Sequence, residues 1–392
     1  MISVSGMRGH VGKDLTPELV ARHAAALGAW AAAAGRPKVV LGRDSRTSGP
    51  MFAQAAAAGL LSVGVDVIEL GVVPTPTVQM AVEHHGAGAG LILTASHNPI
   101  EWNALKFVGP DGIFLDAEAG ATVRTLAERG PERAGWDGIG TVREDRDAVA
   151  RHLDRVLALP EVDVTAIRAR GVHVALDCVR GAGGASIPLL LERLGCRVTA
   201  IHLETDGRFP HPPEPVPENL KDLSRVVRES GADVGMAVDP DVDRLALVDE
   251  TGRAIGEDYT LAFAVRAVLG AHRGDPEPTV VVNLSTSLVV EDAARDFGAR
   301  FVRAPVGEAN VARAMRRHAA LVGGEGNGGV ILPRLHIGRD APLGVALILH
   351  YLARSGQPVS ALVDAASRYV IVKAKAPRGP DLRAMYDRLR DR

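Results

Sequence analysis

Cysteine, net charge and long apolar runs are all scarce in this chain, and each shortage removes a class of protein. Only two cysteines occur in 392 residues, Cys178 and Cys196. Both stand in apolar stretches, so there is no disulfide framework and no thiolate metal spacing, and a reducing cytoplasm is expected. The formal net charge is −2, which exerts no bulk pull on nucleic acid or an anionic membrane surface. An anionic ligand has to be held by a local site. The opening "MISVSGMRGH" contains no signal-peptide run. The most continuous apolar segment, residues 19–35, carries Arg22 and His23 and reads as a soluble alanine-rich helix. A G-x-S-x-G hydrolase elbow is also missing.

What is present is long enough for two to four domains and has a soluble globular composition, 46% hydrophobic and 23% charged. Three segments repeat one plan: β-branched strand, turn, amphipathic helix, second strand, second helix, third strand. They begin "KVVLGRDSRTSG", "VHVALDCVRGAGG" and "TVVVNLSTS", and end "GLILTASHNP", "DVGMAVDPDVDR" and "AALVGGEGNGG". Strands alternating with helices predict βαβ units and largely parallel sheets, whose ligands gather beyond the carboxyl ends of strands. The second copy carries an extra proline-rich segment, "GRFPHPPEPVPEN". A further helix is expected over 343–354 and a strand over 369–375. The expected domains are 1–147, 148–253 and 254–367, with 368–392 as the start of a fourth.

In every copy the third strand runs into that copy's most unusual loop, so three equivalent loops are expected to face one central cleft. In "TASHNP", Ser96 follows a buried strand and Pro99 blocks further pairing. It reads either as an exposed nucleophile or phosphate carrier, with His97 and Lys106 nearby, or as an ordinary strand-ending turn. "DPDVDR" places Asp239, Asp241 and Asp243 at alternate positions. On an extended backbone the three carboxylates point one way, and hard oxygen ligands of that kind suit Mg2+. An EF-hand is excluded because its sixth position is Arg244 and "LALV" continues as a strand. "GGEGNGG" matches G-x-G-x-x-G, but "VILPR" is no helix, so the dinucleotide reading fails. It reads instead either as a backbone-exposed loop offering Glu325 and Asn327 to hydroxyl groups or as a flexible glycine turn.

Arg8, in "SGMRG", has little but glycine around it and is the best phosphate-binding candidate. Arg43, Asp44 and Arg46 in "GRDSRTSG" read as a surface salt bridge, as does "GRD" at 338–340. "GAGGAS" at 181–186 reads as a tight strand-to-helix turn.

Taken together, "SGMRG", "TASHNP…NALK", "DPDVDR" and "GEGNGG…GRD" make the chain resemble the α-D-phosphohexomutases, from residue 3 to about 375. The resemblance implies three similar α/β domains and a fourth around a deep cleft. It further implies a phosphoserine at Ser96, and Mg2+ held by Asp239, Asp241, Asp243 and a phosphoserine oxygen. The phosphoryl group passes to a hexose or hexosamine monophosphate, a bound 1,6-bisphosphate reorients, and its other phosphate returns to the serine. Arg244 would steady the transferring group, Arg8 bind phosphate, Lys106 and His97 assist proton movement or charge neutralisation, and Glu325 and Asn327 grip the sugar. Such an enzyme is cytoplasmic, a monomer or homodimer, and binds no nucleic acid or membrane.

The chain departs from the family's pattern in three places. Pro240 stands where many members have glycine. "GEGNGG" replaces the serine- and histidine-containing sugar loop of many phosphomannomutase/phosphoglucomutase members. With "PIEWNALK" and "VGEANV" it is most similar to phosphoglucosamine mutases, which makes that activity the leading expectation and phosphoglucomutase/phosphomannomutase the alternative. The family's "R-x-S-G-T-E-P"-like loop for the distal phosphate is not found, so Ser96 is expected to be phosphorylated while turnover is weak. A metal-dependent sugar phosphatase and a non-catalytic sugar-phosphate-binding protein are the competing classes.

Overall fold

The computed structural model describes residues 2, 3, 6–272, 274, 277–367 and 369. Its first sheet holds β1 (Ile2–Ser3), β2 (Gly6–His10), β3 (Lys38–Arg43), β4 (Asp66–Val72), β5 (Ala89–Leu93), β6 (Trp102–Val108) and β7 (Val142–Glu144). Their order is β1-β2-β6-β5-β3-β4-β7. The second sheet holds β8 (His173–Asp177), β9 (Arg197–Ile201), β10 (Val234–Val238) and β11 (Leu245–Asp249) in the order β11-β10-β8-β9. The third holds β12 (Thr279–Asn283), β13 (Arg300–Ala304), β14 (Val322–Glu325) and β15 (Gly329–Ile331) in the order β13-β12-β14-β15.

One plan underlies all three. Three parallel strands, β4-β3-β5, β9-β8-β10 and β13-β12-β14, carry the repeat seen in the sequence. Strands such as "AGLIL", "HVALD" and "VGMAV" are buried at every position, as parallel strands covered on both faces require. A fourth strand then returns antiparallel, with Leu93 opposite Leu105, Val238 opposite Leu245, and Glu325 opposite Gly329. Each unusual loop is therefore the head of a hairpin whose two strands are locked into a sheet. Its position is set by ladder hydrogen bonds on both sides.

The alanine-rich segment forms the helix Pro17–Ala33, and it lies close against the helix Gly49–Leu61. At Gly59 an added Cβ would sit 2.2 Å from the carbonyl oxygen of Ala21, so the crossing depends on small residues. One apolar core runs through the second and third units, centred on the helices Glu257–Ala271 and Ala341–Ser355. The second of these is the helix expected over 343–354. Asp340 caps its start by accepting from the Leu343 amide, and Gly356, at φ 66, ends it. Cys178 is buried, Cys196 is half-buried, and both are free thiols. Among the described residues no helix is long and apolar enough to cross a membrane. Of the expected strand over 369–375 and the domain start at 368–392, all but Tyr369 lies outside the described residues.

The proline-rich segment of the second unit reaches the first. Gly207 lies under the Ser45 carbonyl, and the Phe209 ring lies 5.0 Å from the Arg46 guanidinium carbon.

Candidate active site

Ser96 follows β5 by three residues and takes a left-handed backbone at φ 51. A serine held there is strained, and the surroundings show what holds it. The Ser96 amide donates to Thr94 Oγ1 at 2.9 Å, and Thr94 Oγ1 donates to Asp44 at 2.6 Å. Asp44 pairs with the Arg46 Nε at 3.0 Å, and both side chains are sealed from solvent. The Arg46 guanidinium then donates to the carbonyls of Ser96, Asn98, Pro99 and Trp102 at 2.6–3.0 Å. The expected surface salt bridge is therefore a buried post on which the serine loop is wound. Four convergent carbonyls need a planar fork of donors, which only arginine supplies. Arg43 stands apart from this pair, and its guanidinium donates to the Asp44 carbonyl.

The aspartate loop differs in shape from the extended strand the alternation suggested. Asp239 Oδ1 accepts from the amides of Asp243 and Arg244, each at 3.1 Å, so the loop curls around its own first carboxylate. Val242 turns left-handed at φ 61 to allow it. The three carboxylates still converge, with one oxygen of each within 4.8 Å of the others. All three residues are buried, and Oδ1 of both Asp241 and Asp243 has no hydrogen-bond partner. Burial and the neighbouring Asp243 and Asp241 push the Asp239 carboxyl well above its usual range. Crowded, buried and partly unpartnered carboxylate oxygens of this kind fit a hard divalent cation.

The loops meet across unit boundaries. Ser96 Oγ donates to Asp239 Oδ2 at 2.8 Å, and the His97 Nδ1 lies 3.3 Å from Ser96 Oγ. Lys106, on β6, donates to Asp241 Oδ2 at 2.7 Å and lies 3.8 Å from Asp243. Burial alone would lower Lys106, but Asp241 and Asp243 outweigh it and hold the ammonium charged. Asp241 is correspondingly kept ionised: burial opposes the charge, and Lys106 overcomes it. Arg8, on β2, donates to Asn98 Oδ1 at 2.8 Å. The Arg244 Nε is buried without a hydrogen-bond partner and lies 3.7 Å from Asp243. Burial and the nearby Arg244 hold the His97 imidazole down to about 3, so it is neutral.

Arg8, Ser96, His97, Lys106, Arg244 and Arg339 all line one cavity of about 600 Å³ between the first and third units. Glu325 and Asn327 do not line it. Glu325 is buried at the end of β14, accepting from Asn283 and the Gly307 amide with one oxygen and from Arg339 with the other. Asn327 accepts from the Gly329 amide at 3.3 Å.

Two residues carry more of the site than their motifs suggested. Arg339 is buried, not superficial, and its three nitrogens reach Asp243 at 2.5 Å, Glu308 at 3.0 Å and Glu325 at 2.9 Å. Glu308 also accepts from Gln79 of the first unit at 3.1 Å. The one sequence signal was the charge of Glu308 in "VGEANV" and of Arg339 in "IGRD".

Comparison with known proteins places the whole fold. The three alpha/beta/alpha domains of phosphoglucomutase/phosphomannomutase match residues 2–134, 150–252 and 256–369. A Thermococcus kodakarensis protein named "Phosphoglucomutase/phosphomannomutase" is 40% identical over 94% of this chain and 81% of its own length. A "Probable phosphoglucosamine mutase" of Methanopyrus kandleri is 38% identical over 94% of this chain and 79% of its own. The solved structure of a Burkholderia thailandensis phosphoglucomutase/phosphomannomutase family protein superposes with a TM-score of 0.83 at 28% identity, covering 94% of this chain and 81% of that one. Three family domains matched in order along most of the chain, with a relative 40% identical over 94% of it, show the family: the chain belongs to the α-D-phosphohexomutase family of isomerases.

Proposed function

We propose that this chain interconverts the 6- and 1-phosphates of a hexose or hexosamine through a phosphoserine at Ser96, with glucosamine phosphate as the preferred substrate. The observation that carries the reading is the Ser96 hydroxyl, 2.8 Å from a carboxylate of the aspartate triad and open to a cavity lined by arginines and a lysine. Phosphoryl transfer needs positioning and charge neutralisation more than covalent help, and those are the parts present.

The unpartnered Oδ1 atoms of Asp241 and Asp243, with Asp239 and an oxygen of the phosphorylated serine, would hold Mg2+. Bound there, the ion neutralises charge on the transferring group. Arg244 and Arg8 hold the non-bridging oxygens, Arg244 with a free buried Nε already turned into the site. Lys106 stays charged on β6 and faces the oxygen that leaves or attacks. His97, held neutral down to about 3, is too weak a base to take the sugar hydroxyl's proton near neutral pH and serves as an uncharged hydrogen-bond partner of the Ser96 oxygen. A hexose 1,6-bisphosphate supplies the first phosphate and is the intermediate that turns over in the cavity. Glu325 holds Arg339 at the cavity wall, and a direct grip of Glu325 and Asn327 on sugar hydroxyls requires their loop to turn toward the cavity when substrate binds. The domain limits 1–147, 148–253 and 254–367, a cytoplasmic site of action, and a monomeric or homodimeric state complete the proposal.

The test is a coupled mutase assay comparing glucosamine, glucose and mannose 6-phosphates with Mg2+ and catalytic 1,6-bisphosphate, beside intact-mass detection of phosphate on the protein. Wild type is expected to carry one phosphate that Ser96→Ala lacks, and to turn over glucosamine 6-phosphate fastest. Phosphate on the Ser96→Ala chain, or release of inorganic phosphate with no isomerised sugar, overturns the reading.

A further inference from the structure

Away from the aspartate triad, a second group of ligating side chains converges where the proline-rich segment meets the second sheet. Asp177 is the last residue of β8, His202 follows the last residue of β9, and His211 comes from the segment itself. One donor atom of each lies within 4.8 Å of the others. The two imidazoles address the two oxygens of one buried carboxylate: His202 Nδ1 lies 3.1 Å from Oδ1 and His211 Nε2 lies 3.1 Å from Oδ2. Both histidines sit beyond the carboxyl ends of parallel strands, where ligands of such sheets gather.

The ring of His211 limits what fills the gap. Its Nδ1 lies 2.9 Å from the Pro212 carbonyl and must carry a hydrogen to donate there. A neutral ring then turns a bare Nε2 lone pair at the Asp177 carboxylate, which repels it. Something positive has to lie between them, either a second proton or a metal ion. Charge-assisted N–H···O contacts run at about 2.7–2.9 Å. Donors sharing a tetrahedral ion, each at about 2.0–2.1 Å, stand roughly 3.3 Å apart. The two 3.1 Å contacts lie between these spacings and accommodate either arrangement. The orienting shell of a metal site is also in place: a carbonyl fixes His211, and the Val179 amide donates to Asp177 Oδ1 at 2.8 Å. Both rings are partly exposed, 23% for His202 and 14% for His211, so an ion has a path in and room for a water ligand.

We propose that Asp177, His202 and His211 bind a Zn2+-class divalent ion that clips the proline-rich segment to the second sheet. Two imidazole nitrogens and one carboxylate favour such an ion over Mg2+, which takes oxygen ligands. Prolines 210, 212, 213, 215 and 217 restrict the segment beforehand, so less chain entropy is lost when it is clipped. The clip has a reach into the catalytic cavity. Three residues beyond His211, Glu214 lies 3.7 Å from Arg244 and 3.8 Å from His97, and Phe209 lies against the Arg46 post.

The experiment is equilibrium dialysis of the whole chain against Zn2+ with Mg2+ in large excess, followed by Co2+ substitution. Wild type and Asp241→Asn, which removes a triad ligand, are each expected to retain one zinc per chain. His202→Gln and His211→Gln are expected to lose it, with melting curves reporting that they remain folded. The cobalt form of wild type is expected to show the intense visible bands of four-coordinate nitrogen ligation, and zinc to slow tryptic cleavage after the exposed Arg208. Zinc retained equally by both glutamine variants overturns the proposal. So does wild-type protein that holds no zinc or gives only weak octahedral cobalt bands, because the histidines are then an imidazolium pair on Asp177. Mutase activity enters none of these readouts, so the result stands apart from the phosphoserine reading.

Discussion

Replacing Arg46 by methionine keeps most of the buried volume and deletes the guanidinium, leaving a carboxylate and four carbonyls behind. Asp44 would keep the Thr94 hydroxyl at 2.6 Å and the residue-46 amide at 2.9 Å but lose the cation paired with its carboxylate. An uncompensated buried charge costs about 3–5 kcal/mol. The buried Ser96 carbonyl adds about 1–3 kcal/mol if nothing replaces its donor. The carbonyls of Asn98, Pro99 and Trp102 are only part-buried and turn to water at little cost. Burial already raises the Asp44 carboxyl, so without Arg46 it takes a proton and recovers part of the loss. The expected net destabilisation is about 3–5 kcal/mol, a large share of a typical domain's stability.

Urea unfolding of Arg46→Met measures that loss, and the double variant Asp44→Asn/Arg46→Met tests its cause. If the charge of Asp44 is the main penalty, the double variant is more stable than Arg46→Met alone by about 1–2 kcal/mol, a non-additivity expected only of coupled neighbours. Arg46→Met also frees the loop that holds Ser96 at φ 51, so phosphorylation of Ser96 should slow by about 100-fold, the scale of a 1 Å misplacement. A cost below about 1 kcal/mol for Arg46→Met, or single-variant effects that simply add, refutes the account of Arg46 as the post of the serine loop.

Asp239→Asn should raise the stability of the metal-free chain, because burial and its two neighbouring aspartates make the ionised form costly. The same change should abolish the Mg2+-dependent rise in melting temperature, which for wild type corresponds to about 2.7 kcal/mol at a hundredfold excess over Kd; an Asp239→Asn chain that Mg2+ stabilises like wild type sinks the triad assignment. His97, held down to about 3 in the folded state, gives stability a predictable pH dependence. Between its ordinary value of 6.5 and about 3 the unfolded chain binds a proton that the folded chain does not, so stability drains as pH falls through that window. His97→Gln should flatten that limb of the urea-midpoint profile, and identical slopes would show that His97 is not buried neutral. Burial pushes the Cys178 thiol up and the Cys196 thiol up to about 11, so neither should react with a disulfide reagent at mildly alkaline pH until the chain is unfolded.

The parallel strands were legible because burial on both faces leaves a continuous apolar run, as in "GLILT" and "TVVVN". The serine and aspartate loops were legible because reactive side chains interrupt such runs abruptly. What escaped was direction. Arg46 reads as a surface residue in "GRDSRTSG", since nothing local tells a guanidinium to turn inward. Its four carbonyl partners lie 50 to 56 residues further along the chain. Arg339 escaped for the same reason, with Asp243 at a separation of 96 residues. The aspartate loop was misjudged in shape because alternate spacing suits both an extended strand and a turn wound on its first carboxylate. Backbone amides chose the turn.

The three loops occupy one position of one repeated plan, yet their chemistry is divided, and the division makes assembly conditional. The first unit supplies the hydroxyl of Ser96 and the ammonium of Lys106, the second supplies the aspartates, and the third supplies Arg339. Thr75 adds a side-chain and a backbone hydrogen bond from the first unit to Asp241. Separating any two units would strand charged groups that are buried now, each worth several kcal/mol, so the first unit cannot drift from the aspartate loop by degrees. The contacts of the proline-rich segment with the site are longer: Glu214 stands 3.7 Å from Arg244 and 3.8 Å from His97, beyond hydrogen-bond distance. An ion at Asp177, His202 and His211 would therefore bear on these longer contacts, three residues from His211, and leave the short cross-ties between units untouched.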